Sequence, residues 1–380
     1  MDLIFTEEQT LLQQTARDFV STHSSLARIR ALRDARDPLG FSRELWSDMA
    51  KLGWLGIIFP EEYGGAGLGY TELMVVLEEL GRGLMPEPMV STVLLGGSAL
   101  RLGGTSRQRQ TLLPRVIDGG ALLAMAYEEA RSRYNPLHVE ARAERTASGW
   151  SLSGEKHNVL DGYGADYVVV SARTSGAITD PNGITLFLVD GRTSGLNLER
   201  QWRIDGRNAA IVRMDKVDVG RDDVIGDVDG GGALLTSIID HATSGLCAEM
   251  LGSMTAALEM TLSYLRTRVQ FGVPIGSFQA LKHRAAKMYI ETELARSAVM
   301  AAHLALDAQS PEIPRLAALA KARTSDAFVL IGNETIQMHG GIGMTDEHDA
   351  GFFLKRARAA EITFGDSAYQ RSRFAELHGY

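Results

Sequence analysis

Apolar positions recur at helical spacing through the first third of the chain. Leu12, Ala16, Phe19 and Val20 share one face of a predicted helix, and Thr6 with Gln9 predicts a capping box at its start. SRELWSDMAKLGWLGIIF, YTELMVVLEELGRGLM, STVLLGGSALRLGG and SRQRQTLLPRVIDGG continue the helical pattern, and the turn-rich PEEYGGAGLG interrupts it. Near residue 121 the period changes. GWSLSGEKHNVLDG alternates, with Trp150 and Leu152 on one face and Ser151 and Ser153 on the other. ADYVVVSAR, GITLFLVD and AAIVRMDKVDV are short, β-branched and bounded by turn formers. They predict a mainly antiparallel sheet joined by hairpins and loops. After DVDGGG the helical period returns and holds to the end, in four long runs that predict an antiparallel bundle. The expected organisation is α+β: a helical domain over 1–120, a β-sheet domain over 121–228 and a helical bundle over 229–380.

Composition narrows the class. The chain has 380 residues, 45% of them apolar and 23% charged, as in ordinary globular proteins. A formal net charge of −8 disfavours nucleic acid, whose phosphates need a basic face. The single cysteine, Cys247, forms no intrachain disulfide. MDLIFTEEQT lacks a basic and apolar leader, and no run reaches the roughly 20 apolar residues of a membrane span. A cytoplasmic protein with no membrane insertion is expected.

Most single motifs carry little. GGAGLG and HGGIGM do not follow a strand in a βαβ unit, so neither reads as a dinucleotide fingerprint. Asp346, Glu347, His348 and Asp349 lack a metal-site spacing and read as a polar loop. RVQFG, 268–272, reads either as a helix end stopped by glycine or as an anion contact beside an aromatic shelf. Lys355, Arg356 and Arg358 read as a solvated basic face. The four tryptophans and Cys247 read as packing.

Taken together, PEEYGG, RVQFG and QMHGGIG, in a helix–sheet–helix order, resemble the acyl-CoA dehydrogenase family. Within it, HGGIGMTDE, TRVQFGVPIGSFQ, KHRAA and FGD are similar to the small subunit of pimeloyl-CoA dehydrogenase-type heteromeric enzymes. The resemblance implies FAD, an acyl-CoA substrate, α,β-dehydrogenation with a carboxylate removing the α-proton, and an electron-transfer partner. It also implies that Arg268, Gln270 and Phe271, with Gln337, Gly340 and Gly341, reach a neighbouring subunit's FAD.

The chain departs from that pattern where the chemistry should sit. One family position for the base falls at Phe364, with Asp366 two residues on; the other falls at Ala242, with Asp240 two residues earlier. The Thr-Glu-Pro-x-x-Gly-Ser-Asp run that touches flavin in relatives corresponds to EEARSRYN, 128–135. The Lys-x-Trp-Ile-Ser/Thr-Asn motif corresponds to 156–161, with Asn158 for the aromatic and Leu160 for the hydroxyl. The expected role is the non-catalytic half of an α2β2 heterotetramer beside a catalytic acyl-CoA dehydrogenase subunit. The alternatives are a self-sufficient homomer using Asp366 or Asp240, and a flavin monooxygenase or acyl-CoA-binding module on the same fold.

Overall fold

The computed structural model describes residues 5–380. They form two compact units. One gathers the segments up to 31, 70–85 and 243–380; the other gathers 32–69 and 86–242. The division cuts two helices: α2 (Leu26–Asp34) between Ala31 and Leu32, and the long α7 (Gly231–Thr267) between Ala242 and Thr243.

In the first unit, α1 (Glu7–His23) begins at the predicted capping box: Gln9 N–H donates to Thr6 Oγ1, and Thr6 N–H donates to Gln9 Oε1. It buries Ala16 and Val20, and its Arg17 pairs with the buried Glu79 at 2.7 Å. Glu79 lies on α4 (Tyr70–Arg82), which is buried almost throughout; each large apolar side chain there contributes about 1.5–3 kcal/mol. Asp307 accepts the N–H of Thr71 at 3.1 Å, a carboxylate at the positive end of that helix. Where α4 meets α7 the backbones nearly touch. A Cβ on Gly81 would lie 2.0 Å from Glu249 O, and one on Gly252 would lie 1.7 Å from Glu78 O. Only glycine permits that crossing. The rest of the unit is α8 (Gln279–Asp307), α9 (Ile313–His339), α10 (Ala350–Ile362) and α11 (Ser367–Leu377). The tail run AGFFLKRARAAEITFG forms α10, which ends at Ile362, and α11 follows beyond it.

In the second unit, α3 (Arg43–Lys51) precedes a π-helical segment, Met89–Gly97, then α5 (Ser98–Gly103) and α6 (Ser106–Ile117). The sequence predicted ordinary helix over STVLLGG. The wider turns instead accompany a hydrogen-bond exchange in which Thr92 Oγ1 bonds both the O and the N–H of Leu123 at 3.2 Å. The sheet contains β1 (Leu123–Ala126), β2 (Arg142–Arg145), β3 (Gly149–Leu160), β4 (Tyr167–Arg173), β5 (Ile184–Asp190), β6 (Leu196–Trp202), β7 (Asn208–Gly220) and β8 (Val224–Ile225). The order is β6-β7-β3-β2-β4-β5-β8, and β1 pairs with β4 in parallel. Other pairings are antiparallel, apart from one parallel link between β2 and β4 at Arg142 and Arg173. Leu152, Val168, Val170, Phe187, Val212 and Val217 lie in its core. Two single-residue readings need correction. Trp202 is 54% exposed rather than packed. Arg356 is buried rather than solvated, paired with Glu249 at 2.9 Å, because burying a guanidinium requires a carboxylate partner.

Candidate functional site

RVQFG is not a plain helix end. After Thr267 the chain forms a hairpin, with β9 (Val269–Gln270) paired to β10 (Val273–Pro274). Phe271 at φ 53° and Gly272 at φ 78° make the tight turn, two left-handed residues in succession. A left-handed Phe costs about 1 kcal/mol or more. The strain holds its ring away from the chain at 93% exposure, touching Phe278 edge-on at 6.1 Å. Arg268 is exposed beside it, and among the described residues no carboxylate pairs with it. Gln270 donates to the neighbouring Val269 carbonyl at 2.8 Å.

The Gln-x-x-Gly-Gly segment closes α9. Gln337 is exposed, and no atom lies within 4 Å of where a Cβ on Gly340 or Gly341 would sit. One stack unites the two motifs. Arg268 N–H donates to Tyr264 O at 2.9 Å; the Tyr264 ring lies 4.5 Å from the His339 ring, and His339 lies 4.4 Å from His348. His339 Nδ1–H donates to Thr335 O at 2.7 Å, and burial holds its pKa below the usual range. Nothing in the sequence signals Tyr264 here, and His348, expected in a polar loop, stacks on His339 instead. An unpaired guanidinium, a presented aromatic ring and backbone open to close approach suit a ligand carrying phosphates and a flat base. These residues fit the diphosphate and adenine of FAD.

The C-terminal turn has the opposite character. Phe364 at φ 60° is 5% exposed, and Gly365 follows at φ 95°. Lys321, fully buried on α9, donates to Glu361 O, Gly365 O and Ser325 Oγ, each at 2.9 Å. Burial pushes its pKa down to about 8, and pushes the Cys247 thiol up to about 11. Gln370 Nε2–H donates to Phe364 O at 2.5 Å. Asp366 is the N-cap of α11, accepting from Tyr369 N–H at 2.8 Å. On α7, Ala242 and Asp240 are both buried.

On the sheet, Lys156 is buried with its Nζ 2.7 Å from Glu129 Oε1 and 3.0 Å from Ser171 Oγ. Glu129 also accepts the N–H of Ala141 at 3.0 Å. Beside this satisfied pair, Glu128 accepts from Asn158 Nδ2–H and from Tyr127 O–H, both at 3.2 Å. Burial raises the Glu128 carboxyl above its usual range. Asn158 and Asp161 are left-handed at a β-bulge, where the β3–β7 register slips between Lys156 and Val159. Asp161 accepts from Ser91 O–H at 2.6 Å, and burial raises it to about 6. At the positions where the resemblance places a flavin-stacking aromatic and a hydroxyl, this face carries Asn158 and Leu160, so it does not fit the ring of a flavin held by this chain itself.

Among the described residues no group of three or more side chains could hold a metal, and Arg30 pairs with Asp346 and Asp349 at 3.2 and 3.0 Å. No described helix is long and apolar enough to cross a membrane.

The comparisons agree across the chain. The N-terminal, middle and C-terminal domain patterns of acyl-CoA dehydrogenases match residues 6–120, 123–217 and 229–377. The probable acyl-CoA dehydrogenase YngJ of Bacillus subtilis (strain 168) is 30% identical over 98% of both chains. A Tcur3481–Tcur3483 steroid ACAD variant superposes with a TM-score of 0.87 at 32% identity, covering 98% of both chains. The ChsE4–ChsE5 complex from Mycobacterium tuberculosis gives 0.90 at 26% identity, covering 100% of this chain and 99% of that one. The chain belongs to the acyl-CoA dehydrogenase family.

Proposed function

We propose that this chain is the non-catalytic subunit of an FAD-dependent acyl-CoA dehydrogenase of α2β2 type, akin to the small subunit of pimeloyl-CoA dehydrogenase-type enzymes. One contrast carries the reading. Arg268 and Phe271 are exposed, with no partner for the guanidinium among the described residues, while the turn at 364–366 holds a buried phenyl ring and a carboxylate engaged in capping a helix. Phe364 has no titratable group, and the Asp366 carboxylate caps a helix.

FAD, when bound, supplies the oxidant for dehydrogenating the acyl-CoA thioester. In this reading Arg268 pairs with the diphosphate of the partner's FAD, Phe271 lies on its adenine, and Gln337, Gly340 and Gly341 approach the same cofactor. Gln270 adds an amide to that grip. The partner supplies the base and the flavin-ring contacts, and an electron-transfer protein in the same cytoplasmic compartment accepts the electrons. ChsE4–ChsE5, a similar structure, is itself a two-protein complex.

The test is purification of the chain alone and with a co-expressed family member that retains the catalytic Glu. The expected result is little flavin and no turnover for the lone chain, and one FAD per heterodimer with turnover for the pair. Stoichiometric FAD and full turnover by the lone chain would sink the proposal.

A further inference from the structure

A second candidate site lies on the β-sheet unit, in a region that the dehydrogenase reading does not use. β2 stays beside β4 only at Arg142 and Arg173. Beyond that link β2 and the Thr174–Gly176 turn line a cavity of about 610 Å³. Trp150 and Val228 also line it.

Its charge is unusual for a net-acidic protein. Three guanidiniums line the notch: Arg142, Arg145 and Arg173. Arg173 is buried, and both its terminal nitrogens donate to backbone carbonyls: Asp180 O, Asn182 O, Leu137 O and Ile178 O, at 2.7–3.0 Å. None of those acceptors carries a full charge; the Asp180 and Glu129 carboxylates act on Arg173 electrostatically without pairing with it. A buried charge so placed exerts a stronger field than a solvated one. Arg145 lies over the Trp150 ring, 5.2 Å from its centroid, an arrangement that fixes the guanidinium while its edge stays free to donate. Among the described residues neither Arg142 nor Arg145 has a carboxylate within ion-pair distance. Two carboxylates share the lining. Asp229 is already engaged, accepting from Thr174 O–H at 2.6 Å and Ser175 O–H at 2.8 Å. Glu144 is exposed on the β2 rim.

We propose that this notch binds a small organic anion bearing a phosphate or a carboxylate. The anionic group sits at the open edge of β2, which Arg142 and Arg145 flank from opposite faces of the strand, and an apolar or flat body rests against Trp150 and Val228.

The experiment is titration calorimetry on the full-length chain with three probes: AMP for the phosphate arm, adipate for the carboxylate arm, and adenosine as the uncharged control. At least one anion is expected to bind, more weakly as salt is added. R142A/R145A is expected to weaken it by about tenfold or more, as loss of charge-assisted hydrogen bonds does. Arg268→Ala is expected to leave it unchanged, which separates the notch from the proposed FAD grip. Binding of AMP alone assigns the phosphate arm, and of adipate alone the carboxylate arm. Four results would each overturn the proposal: no binding of either anion at millimolar concentration, adenosine equal to AMP, R142A/R145A equal to wild type, or loss on Arg268→Ala. Circular dichroism checks the fold of each variant. Arg142→Gln and Arg145→Gln singly repeat the measurement if the double variant is unfolded.

Discussion

The hairpin at 268–274 and the turn at 361–366 belong to the same helical unit and treat their polar groups in opposite ways. In the hairpin, a guanidinium and an aromatic ring are held in solvent, and the backbone adopts a costly conformation to keep the ring there. In the turn, each polar group named above has an internal partner, and the side chain facing inward is a phenyl ring. Both regions hold a left-handed Phe, so the strain is common to them; only the hairpin leaves its donors exposed, and it is shaped for something outside the chain. A region that satisfies its donors internally is shaped to hold itself still. In the proposed heteromer the difference separates two halves of a flavin site: cofactor grip on one surface of this chain, proton chemistry on the partner.

The largest effect that would sharpen this contrast is at the hairpin. An Arg–phosphate contact contributes about 1.5–3 kcal/mol and an aromatic stack about 0.5–1.5 kcal/mol. Arg268→Ala with Phe271→Ala, in the purified two-subunit complex, is therefore expected to weaken FAD binding by about 10²–10³-fold. Flavin absorbance after gel filtration measures it. Unchanged flavin content would break the comparison at its first term.

Next is Lys321. Lys321→Met removes the donor to two carbonyls and a hydroxyl in a dry setting, with an expected loss of about 3 kcal/mol in urea unfolding. Its pH dependence has a defined sign. The unfolded lysine keeps its proton to about 10.5, and the folded one releases it near 8. Between those values the unfolded state binds more protons, so this group makes stability rise with pH, by up to about 1.4 kcal/mol per unit. Below pH 8 it contributes no slope. Wild type should gain on Lys321→Met from pH 8 to 10.5; parallel profiles would show that Lys321 is not the titrating group.

The architecture was legible because it is written in periodicity. β3 alternates and is found as a strand, and α1 starts at the capping box that Thr6 and Gln9 spell out. β1 and β2 were not, being only four residues each, too short to carry a period. LAMA and RAER become strands because β3 and β4 offer them ladder partners. In the candidate site, residue types were readable but their commitments were not. Nothing local to Lys321 reveals that its acceptors lie about forty positions on, at Glu361 and Gly365. Arg356 read as solvated because its partner, Glu249, is distant in sequence. Glu128 and Asn158 were each noticed as departures, yet only the fold brings that amide onto that carboxyl.

The smallest expected effect bears most directly on where the base resides. Asp366 Oδ1 accepts the Tyr369 N–H at 2.8 Å, and an Asn side chain offers an equivalent carbonyl oxygen. Asn and Asp are comparable N-caps, so Asp366→Asn should lose only the charge–dipole contribution, about 0.3–1 kcal/mol, while Asp366→Ala should lose about 1 kcal/mol. Neither substitution touches proton abstraction if the base resides in the partner, so turnover of the complex should be unchanged. A general base contributes about 10²–10⁴-fold, so even partial use of Asp366 would separate Asn from wild type in a steady-state assay. A rate loss in Asp366→Asn at unchanged thermal stability would return the chemistry to this chain. Equal rates alongside a small stability loss would leave Asp366 as a helix cap, the role its geometry already gives it.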